Sequence, residues 1–161
     1  MTDAPGVVNA ILGGWAVGGI VTMVSGRMVN IGVQGDPANV GPGAAIRPDV
    51  VPGQKPNLPS EERTLERWFN TGAFVRQTGF TFGNAGRNLV TAPDRRNLDL
   101  AIYKAFTFGE SRSIQLRGEF FNATNTPFFG APGNSLGTPQ FGLINSAGDA
   151  RIVQVALKAY F

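Results

Sequence analysis

The sequence contains no cysteine and no histidine among its 161 residues. Without cysteine there are no disulfides or thiolate ligands, and without histidine the usual Ser-His-Asp triad has no general base. Charged residues make up 16% of the chain, against roughly 25% in soluble globular domains. We therefore expect no enzymatic activity and no bound cofactor or metal.

The basic residues of the chain are also not clustered. The chain carries 14 Lys and Arg against 11 Asp and Glu, but only Arg95 and Arg96 are adjacent. Nucleic-acid binding needs a clustered basic stripe, so we predict no nucleic-acid partner. Residues 1–6 lack a positively charged stretch, and we expect no secretory signal peptide there.

What the chain does have is alternation of apolar and polar residues with a period of two, which predicts β-strands. Four segments show it: residues 14–25, 97–108, 113–122 and 151–161. The first also belongs to an apolar run, residues 7–24, long enough for a membrane helix. Because this run contains two Gly-Gly pairs, which disfavour a helix, we predict a strand.

The connections between these strands alternate in length. Matching parity of the apolar faces predicts a loop of three or five residues between the second and third strands, with residues 109–111 as the three-residue form. Residues 26–95 and 123–150 form long connections, and six prolines between residues 37 and 59 of the first exclude a regular sheet. A short helix is predicted at residues 61–69, with Ser60 as its N-cap.

Strands of about ten residues with one apolar face, joined by short turns and long loops in alternation, are typical of an outer-membrane β-barrel. The predicted fold is all-β: an antiparallel barrel segment of about four strands with long extracellular loops. Four strands cannot close a barrel, so the barrel is incomplete. Lys104 interrupts the lipid-facing row, and we expect it to snorkel beside Leu116 or Gly118.

Several segments together resemble the C-terminal end of TonB-dependent outer-membrane receptors, in particular the Oar-like members with an N-terminal carboxypeptidase-regulatory-like domain. The matching segments are 11–20 (ILGGWAVGGI), 68–74 (WFNTGAF), 82–88 (FGNAGRN), 96–100 (RNLDL) followed by Tyr103 and Lys104, 118–122 (GEFFN), 129–132 (FGAP) and 158–161 (KAYF).

The resemblance implies that residues 1–161 are the C-terminal portion of a barrel of about 22 strands, without its plug domain. It implies uptake of an unidentified bulky ligand, driven by the TonB complex through the missing N-terminal part. It also places the C-terminus in the periplasm, so the long loops are extracellular and the location is the bacterial outer membrane. Outer-membrane lipid and the barrel-assembly machinery are the implied partners.

Three sets of residues are the candidate functional residues. A terminal aromatic preceded by apolar residues at every second position resembles the assembly signal: Val155, Leu157, Ala159 and Phe161. Aromatic residues of the long loop either contact a ligand or pack the loop itself: Trp68, Phe69 and Phe74. Polar residues of paired strands are predicted to form an ion-pair network on the lumen wall rather than a two-carboxylate hydrolase site: Asp99, Tyr103, Arg117 and Glu119.

Two other interpretations stay open at this point. One is a soluble all-β binding or structural domain whose apolar faces pack together, without catalytic activity. Alternatively, several copies pool their strands to close one barrel. Residues 133–137 match G-x-S-x-G, but without histidine we interpret them as a glycine-rich surface loop.

Overall fold

The computed structural model describes residue 8, residues 11–108 and residues 111–161. These residues divide into two compact units, one with the long strands and the other comprising Val24–Arg95 and Phe128–Gly148. Numbered in chain order, the four long strands are β1 (Trp15–Val24), β7 (Arg95–Phe108), β8 (Arg112–Phe121) and β10 (Ile152–Tyr160). The other described strands have two residues each: β2 (Met28–Val29), β3 (Gly32–Val33), β4 (Asp49–Val50), β5 (Phe74–Val75), β6 (Val90–Thr91) and β9 (Ser135–Leu136). Two 3₁₀ helices are described, at Ser60–Glu62 and Thr71–Ala73. None of the described helical residues belongs to a helix able to cross a membrane.

The first unit is a four-stranded antiparallel sheet in the order β1-β7-β8-β10. Its strands coincide, to within two residues at each end, with the four that alternation predicts. The fold is therefore all-β, with an open sheet that does not close on itself. The strand at Trp15–Val24 also settles the choice between strand and membrane helix in favour of the strand.

The turn between β7 and β8 has the predicted length. Phe108 is paired with Arg112, which leaves a three-residue connection. Residues 109 and 110 of this connection lie outside the described residues, as do residues 1–7 at the start of the chain. The matched parity aligns the apolar faces of the two strands.

Register places the apolar residues of three strands on one face. Val153 is opposite Phe120 and Leu157 is opposite Leu116 across β8 and β10, while Leu100 is opposite Phe120 across β7 and β8. Since side chains alternate across a strand, the polar residues between them share the other face.

The second unit has its own hydrophobic core, which the sequence did not lead us to expect. Its largest fully buried side chains include Phe69 and Val90. Phe69 makes edge-to-face contacts with Phe74 and Phe141, at centroid distances of 5.9 and 5.1 Å. Three pairs of two-residue strands frame this core: β2 with β6, β4 with β5, and β3 in parallel with β9. The long connections therefore pack together as a folded unit.

The predicted helix at residues 61–69 is wrong. Only Ser60–Glu62 are helical, in one 3₁₀ turn whose N-cap is Pro59, so Ser60 lies within the turn and does not cap it. Its hydroxyl instead donates to the carboxylate of Glu61, 3.1 Å away. The competing demand is tertiary, because Phe69 forms a β-bridge with Asn57 at the core and the chain must be extended to reach it.

Lys104 lies opposite Leu116 on the apolar face, as predicted, but it does not snorkel. Its side chain is buried, with 4% exposure, and its ammonium donates to the carbonyls of Ile11 and Gly13. The rings of Trp15 and Phe106 flank the ammonium at 5.2 and 5.1 Å. Backbone acceptors and aromatic faces thus take the place of water around this cation.

Candidate functional site

Along β8 the two faces of the sheet differ in a way that is opposite to a soluble domain. Along β8 the apolar side chains of Ile114 and Leu116 are exposed, by 37% and 42%, whereas the polar residues between them are half-buried. On β10 the apolar side chains are exposed still further, Val155 by 70% and Leu157 by 69%. In the described part of this unit, the apolar face of β8 and β10 is therefore left largely uncovered.

The polar face brings together all four residues that were predicted to face a lumen. Asp99, Tyr103, Arg117 and Glu119 line one depression of about 320 Å³. Tyr103 lies opposite Arg117, and Ala101 lies opposite Glu119, across β7 and β8. Gly18 of β1 also lines the depression, and a side chain at Gly18 would meet no atom within 4 Å. Small residues thus leave room beside the charged ones.

An ion pair forms along β8 within this depression. The Arg117 guanidinium contacts the Glu119 carboxylate, with side-chain exposures of 33% and 17%. The same guanidinium stacks on the Tyr103 ring at 5.0 Å, while its buried Nε has no hydrogen-bond partner. Arg117, Tyr103 and Glu119 thus contact one another on this face of the sheet; a lumen wall formed by the four residues stays a prediction.

Asp99 is held by different partners. Its carboxylate accepts hydrogen bonds from the Asn97 side chain at 2.9 Å and from the backbone N–H of Asn122 at 2.8 Å. Glu119 is engaged by Arg117, so both carboxylates have partners of their own. The arrangement favours a fixed polar wall over a pair of catalytic carboxylates.

Asn122 is a site residue that the sequence did not single out. It follows β8 directly with a φ of 52°, and it is buried, with 6% exposure. Its side chain accepts from the backbone N–H of Thr126 at 3.0 Å and donates to the Thr126 carbonyl at 3.1 Å. Asparagine is one of the few residues that tolerates this left-handed conformation, which was the available signal.

The proposed assembly signal lies on the edge strand. β10 pairs with β8 on one side, and it is the last strand in the order of the sheet. Ala159 is exposed like its neighbours on β10, and Phe161, directly after the strand, is 97% exposed. The alternation of Val155, Leu157, Ala159 and Phe161 is present as predicted, and recognition by assembly machinery stays a prediction.

The loop aromatics pack the second unit. Phe69 and Phe74 are buried, with exposures of 0% and 5%, and Trp68 is packed against the same core. The Trp68 indole N–H donates to the Thr91 carbonyl at 2.8 Å. The geometry favours loop packing over ligand contact for Phe69 and Phe74, and ligand contact at this cluster remains an untested prediction.

The G-x-S-x-G segment has no nucleophile-elbow geometry. Ser135 lies in β9, which pairs in parallel with β3, and its carbonyl accepts a hydrogen bond from the Thr138 hydroxyl at 2.8 Å. A nucleophile elbow needs a strand-to-helix turn, and Ser135 is instead part of a strand-and-turn contact. Within the described residues there is also no cluster of potential metal ligands.

Comparison with known proteins agrees with a sheet whose apolar side chains are exposed. Residues 1–154 match the family model described as Outer membrane beta barrel domain. No curated protein and no solved structure is significantly similar to the chain. The family match gives the location as the bacterial outer membrane, which excludes the soluble alternative. Because the match covers nearly the whole sequence, the chain belongs to the outer membrane beta barrel domain family.

Proposed function

We propose that this chain is the C-terminal part of a TonB-dependent outer-membrane receptor that takes up a bulky ligand. Its four long strands form barrel wall, and its second unit forms the extracellular loops. The protein acts by binding and transport rather than catalysis. Outer-membrane lipid surrounds its apolar face, and the TonB complex acts through a separate N-terminal part.

The observation that carries the proposal is the inverted exposure of β8. Leu116 is more exposed than the polar residues beside it, which suits a strand with lipid on one side and an aqueous interior on the other. In hydrocarbon, every backbone donor and acceptor must be paired, so the open edge of β10 requires a further strand. A larger barrel supplies that strand.

The C-terminal strand supports the same proposal. Val155, Leu157, Ala159 and Phe161 form an uncovered apolar row that ends on an aromatic residue. We propose that the barrel-assembly machinery recognises this row before the edge of β10 is paired. The resemblance of residues 158–161 to the receptor family is the basis for this role.

The size of the polypeptide that carries this sequence tests the proposal. An antibody against residues 52–67, an exposed part of the loop unit, is used to probe soluble and outer-membrane fractions of the native cells. The proposal predicts an outer-membrane band far heavier than 17.0 kDa, the mass of this chain, and co-isolation of TonB with it.

Other outcomes would overturn the receptor proposal. A 17.0 kDa species that forms heat-modifiable oligomers in the outer membrane would instead support copies that pool their strands. A heavy species that fails to retain TonB, under conditions where a known receptor retains it, would support a barrel with another function.

A further inference from the structure

The second unit contains a polar depression that the proposed function does not use. It has a volume of about 370 Å³ and is lined by two arginines, Arg47 and Arg87, and two asparagines, Asn30 and Asn134, among other residues. None of the described residues that line it is acidic. This volume lies within the range of small-molecule sites, roughly 300–1,000 Å³.

Hydrogen bonds and a close approach of the backbone hold the two arginines on the same depression although 40 positions separate them in the sequence. The Ala85 N–H donates to the Pro48 carbonyl at 3.0 Å, and the Asn84 N–H donates to the Asp49 carboxylate at 2.8 Å. A side chain at Gly83 would lie 2.1 Å from the Arg47 carbonyl, so glycine is needed for this close approach. The segments that carry Arg47 and Arg87 are therefore fixed against each other.

The asparagines are fixed in a similar way and keep part of their polar groups available. The Asn30 side-chain oxygen accepts from the Asn88 N–H at 2.8 Å, which leaves the Asn30 amide N–H groups to donate elsewhere. Asn134 uses its amide nitrogen to donate to the Asn30 carbonyl at 2.7 Å. Its side-chain oxygen remains as an acceptor at the rim.

The arginine side chains have no anionic partner of their own. Among the residues that the structure describes, neither Arg47 nor Arg87 forms an ion pair or a side-chain hydrogen bond. Arg47 is half-buried and Arg87 is exposed. Two guanidinium groups on one concave surface form a positive site, and their fork of donors matches carboxylate and phosphate oxygens.

We infer that this depression binds the oxyanion group, carboxylate or phosphate, of a small ligand. Arg47 and Arg87 neutralise the charge, and the Asn30 amide donates a further hydrogen bond. The inference deepens the proposed function and rests on it, because the ligand is then the one that the receptor takes up. The whole protein would thus select for an anionic ligand at its extracellular unit.

Chemical protection of individual arginines tests this site on the protein purified from outer membranes. Phenylglyoxal modifies guanidinium groups, and peptide mass spectrometry gives the rate at each arginine. The probes are inorganic phosphate and acetate, each compared with sodium chloride at the same ionic strength. At a probe concentration ten times its Kd, occupancy slows modification about tenfold.

The expected result is slower modification of Arg47 and Arg87, with no change at Arg67. Arg67 is the matched control because it is exposed in the same unit and its guanidinium already has an anionic partner, the Glu62 carboxylate, 3.8 Å away. Protection by phosphate alone identifies a phosphate-bearing ligand, and protection by acetate as well shows that a carboxylate suffices. Equal rates in all three salts, or equal slowing at Arg67, would overturn the inference.

Two variants separate the site from general charge screening. Arg87→Gln is expected to abolish the protection of Arg47, while Arg67→Gln leaves it intact. Asn30→Asp keeps the oxygen that accepts from the Asn88 N–H but adds negative charge, and it is also expected to abolish protection. Persistent protection in both Arg87→Gln and Asn30→Asp would contradict the site, whatever the size of the polypeptide proves to be.

Discussion

Leu157 lies directly opposite Leu116 across β10 and β8, and both side chains stay exposed, by 69% and 42%. Two opposed leucines in a soluble sheet would be expected to meet a second layer. In this unit, the polar residues beside Leu116 are the ones that are half-buried. We therefore expect the pair to mark the lipid-facing side of the sheet.

Charge on this side is expected to destabilise the protein. Val155→Arg places a guanidinium on the apolar face near the middle of β10, and a cost of about 2–4 kcal/mol applies at the bilayer midplane. The neighbouring Gln154→Arg points to the polar face, opposite Glu119, and should cost nothing measurable. The free energy of unfolding of the two variants is compared by equilibrium unfolding of the protein that carries this sequence, reconstituted in lipid vesicles. Equal losses in both would contradict the assignment of faces.

The Lys104 contacts predict a local effect at the start of β1. Lys104→Met removes the donor to the Ile11 and Gly13 carbonyls. The Ile11 carbonyl still accepts from the Trp15 indole N–H, whereas the loss of the donor to Gly13 costs about 1 kcal/mol. Residues 11–13 should then detach, so that the Trp15 indole N–H loses the Ile11 carbonyl, 2.9 Å away, and Trp15, already 55% exposed, becomes more accessible to water. In a Trp68→Phe background, Trp15 is the one remaining tryptophan, so quenching by acrylamide reports on it.

The conservative change provides the control for Lys104. Lys104→Arg keeps a cation with several donors and should retain most of the protection of Trp15. If Lys104→Met quenches no faster than the parent protein, the ammonium does not hold this segment.

The core of the second unit predicts a large effect at Phe69. Phe69→Ala deletes a fully buried ring, and such a change costs about 3–5 kcal/mol. Phe80→Ala is the matched control, since Phe80 is 79% exposed. Limited proteolysis within Val24–Arg95 should accelerate for Phe69→Ala alone. Similar proteolysis of both variants would argue that the loop unit has no cooperative core.

Much of the sheet could be predicted because its pattern is local. Alternation along residues 113–122 and 151–161 is enough to predict β8 and β10 and the face of each side chain. The second unit could not be predicted in this way, since Gly32 pairs with Ser135 from a distant part of the chain. The depression with Arg47 and Arg87 depends on similar contacts, which no short window of sequence contains.

The Lys104 environment was missed for the same reason. Its position on the apolar face and its neighbour Leu116 follow from parity. Its acceptors are the carbonyls of Ile11 and Gly13, which lie more than 90 positions away in the sequence. Snorkelling was the default expectation for an isolated lysine on a lipid face, and long-range backbone acceptors replaced it.

The assembly role of the C-terminus predicts a defect at its last residue. Phe161→Ser removes the terminal aromatic without changing β10, which ends at Tyr160. We expect a several-fold lower amount of heat-modifiable barrel in the outer membrane, because recognition precedes strand pairing. Tyr160→Ser, on the opposite face of the strand, is the control. Normal assembly of Phe161→Ser would contradict the signal.

The accessibility of consecutive positions of β10 to a water-soluble reagent tests most directly whether the apolar face meets lipid. The sequence has no cysteine, so each introduced cysteine is the one thiol in its variant. The rate of labelling by a charged maleimide is measured in outer membranes for single cysteines at Val153, Gln154, Val155, Ala156 and Leu157. We expect fast labelling at 154 and 156, and slow labelling at 153, 155 and 157. Uniform labelling, or fast labelling at the odd positions, would contradict the account.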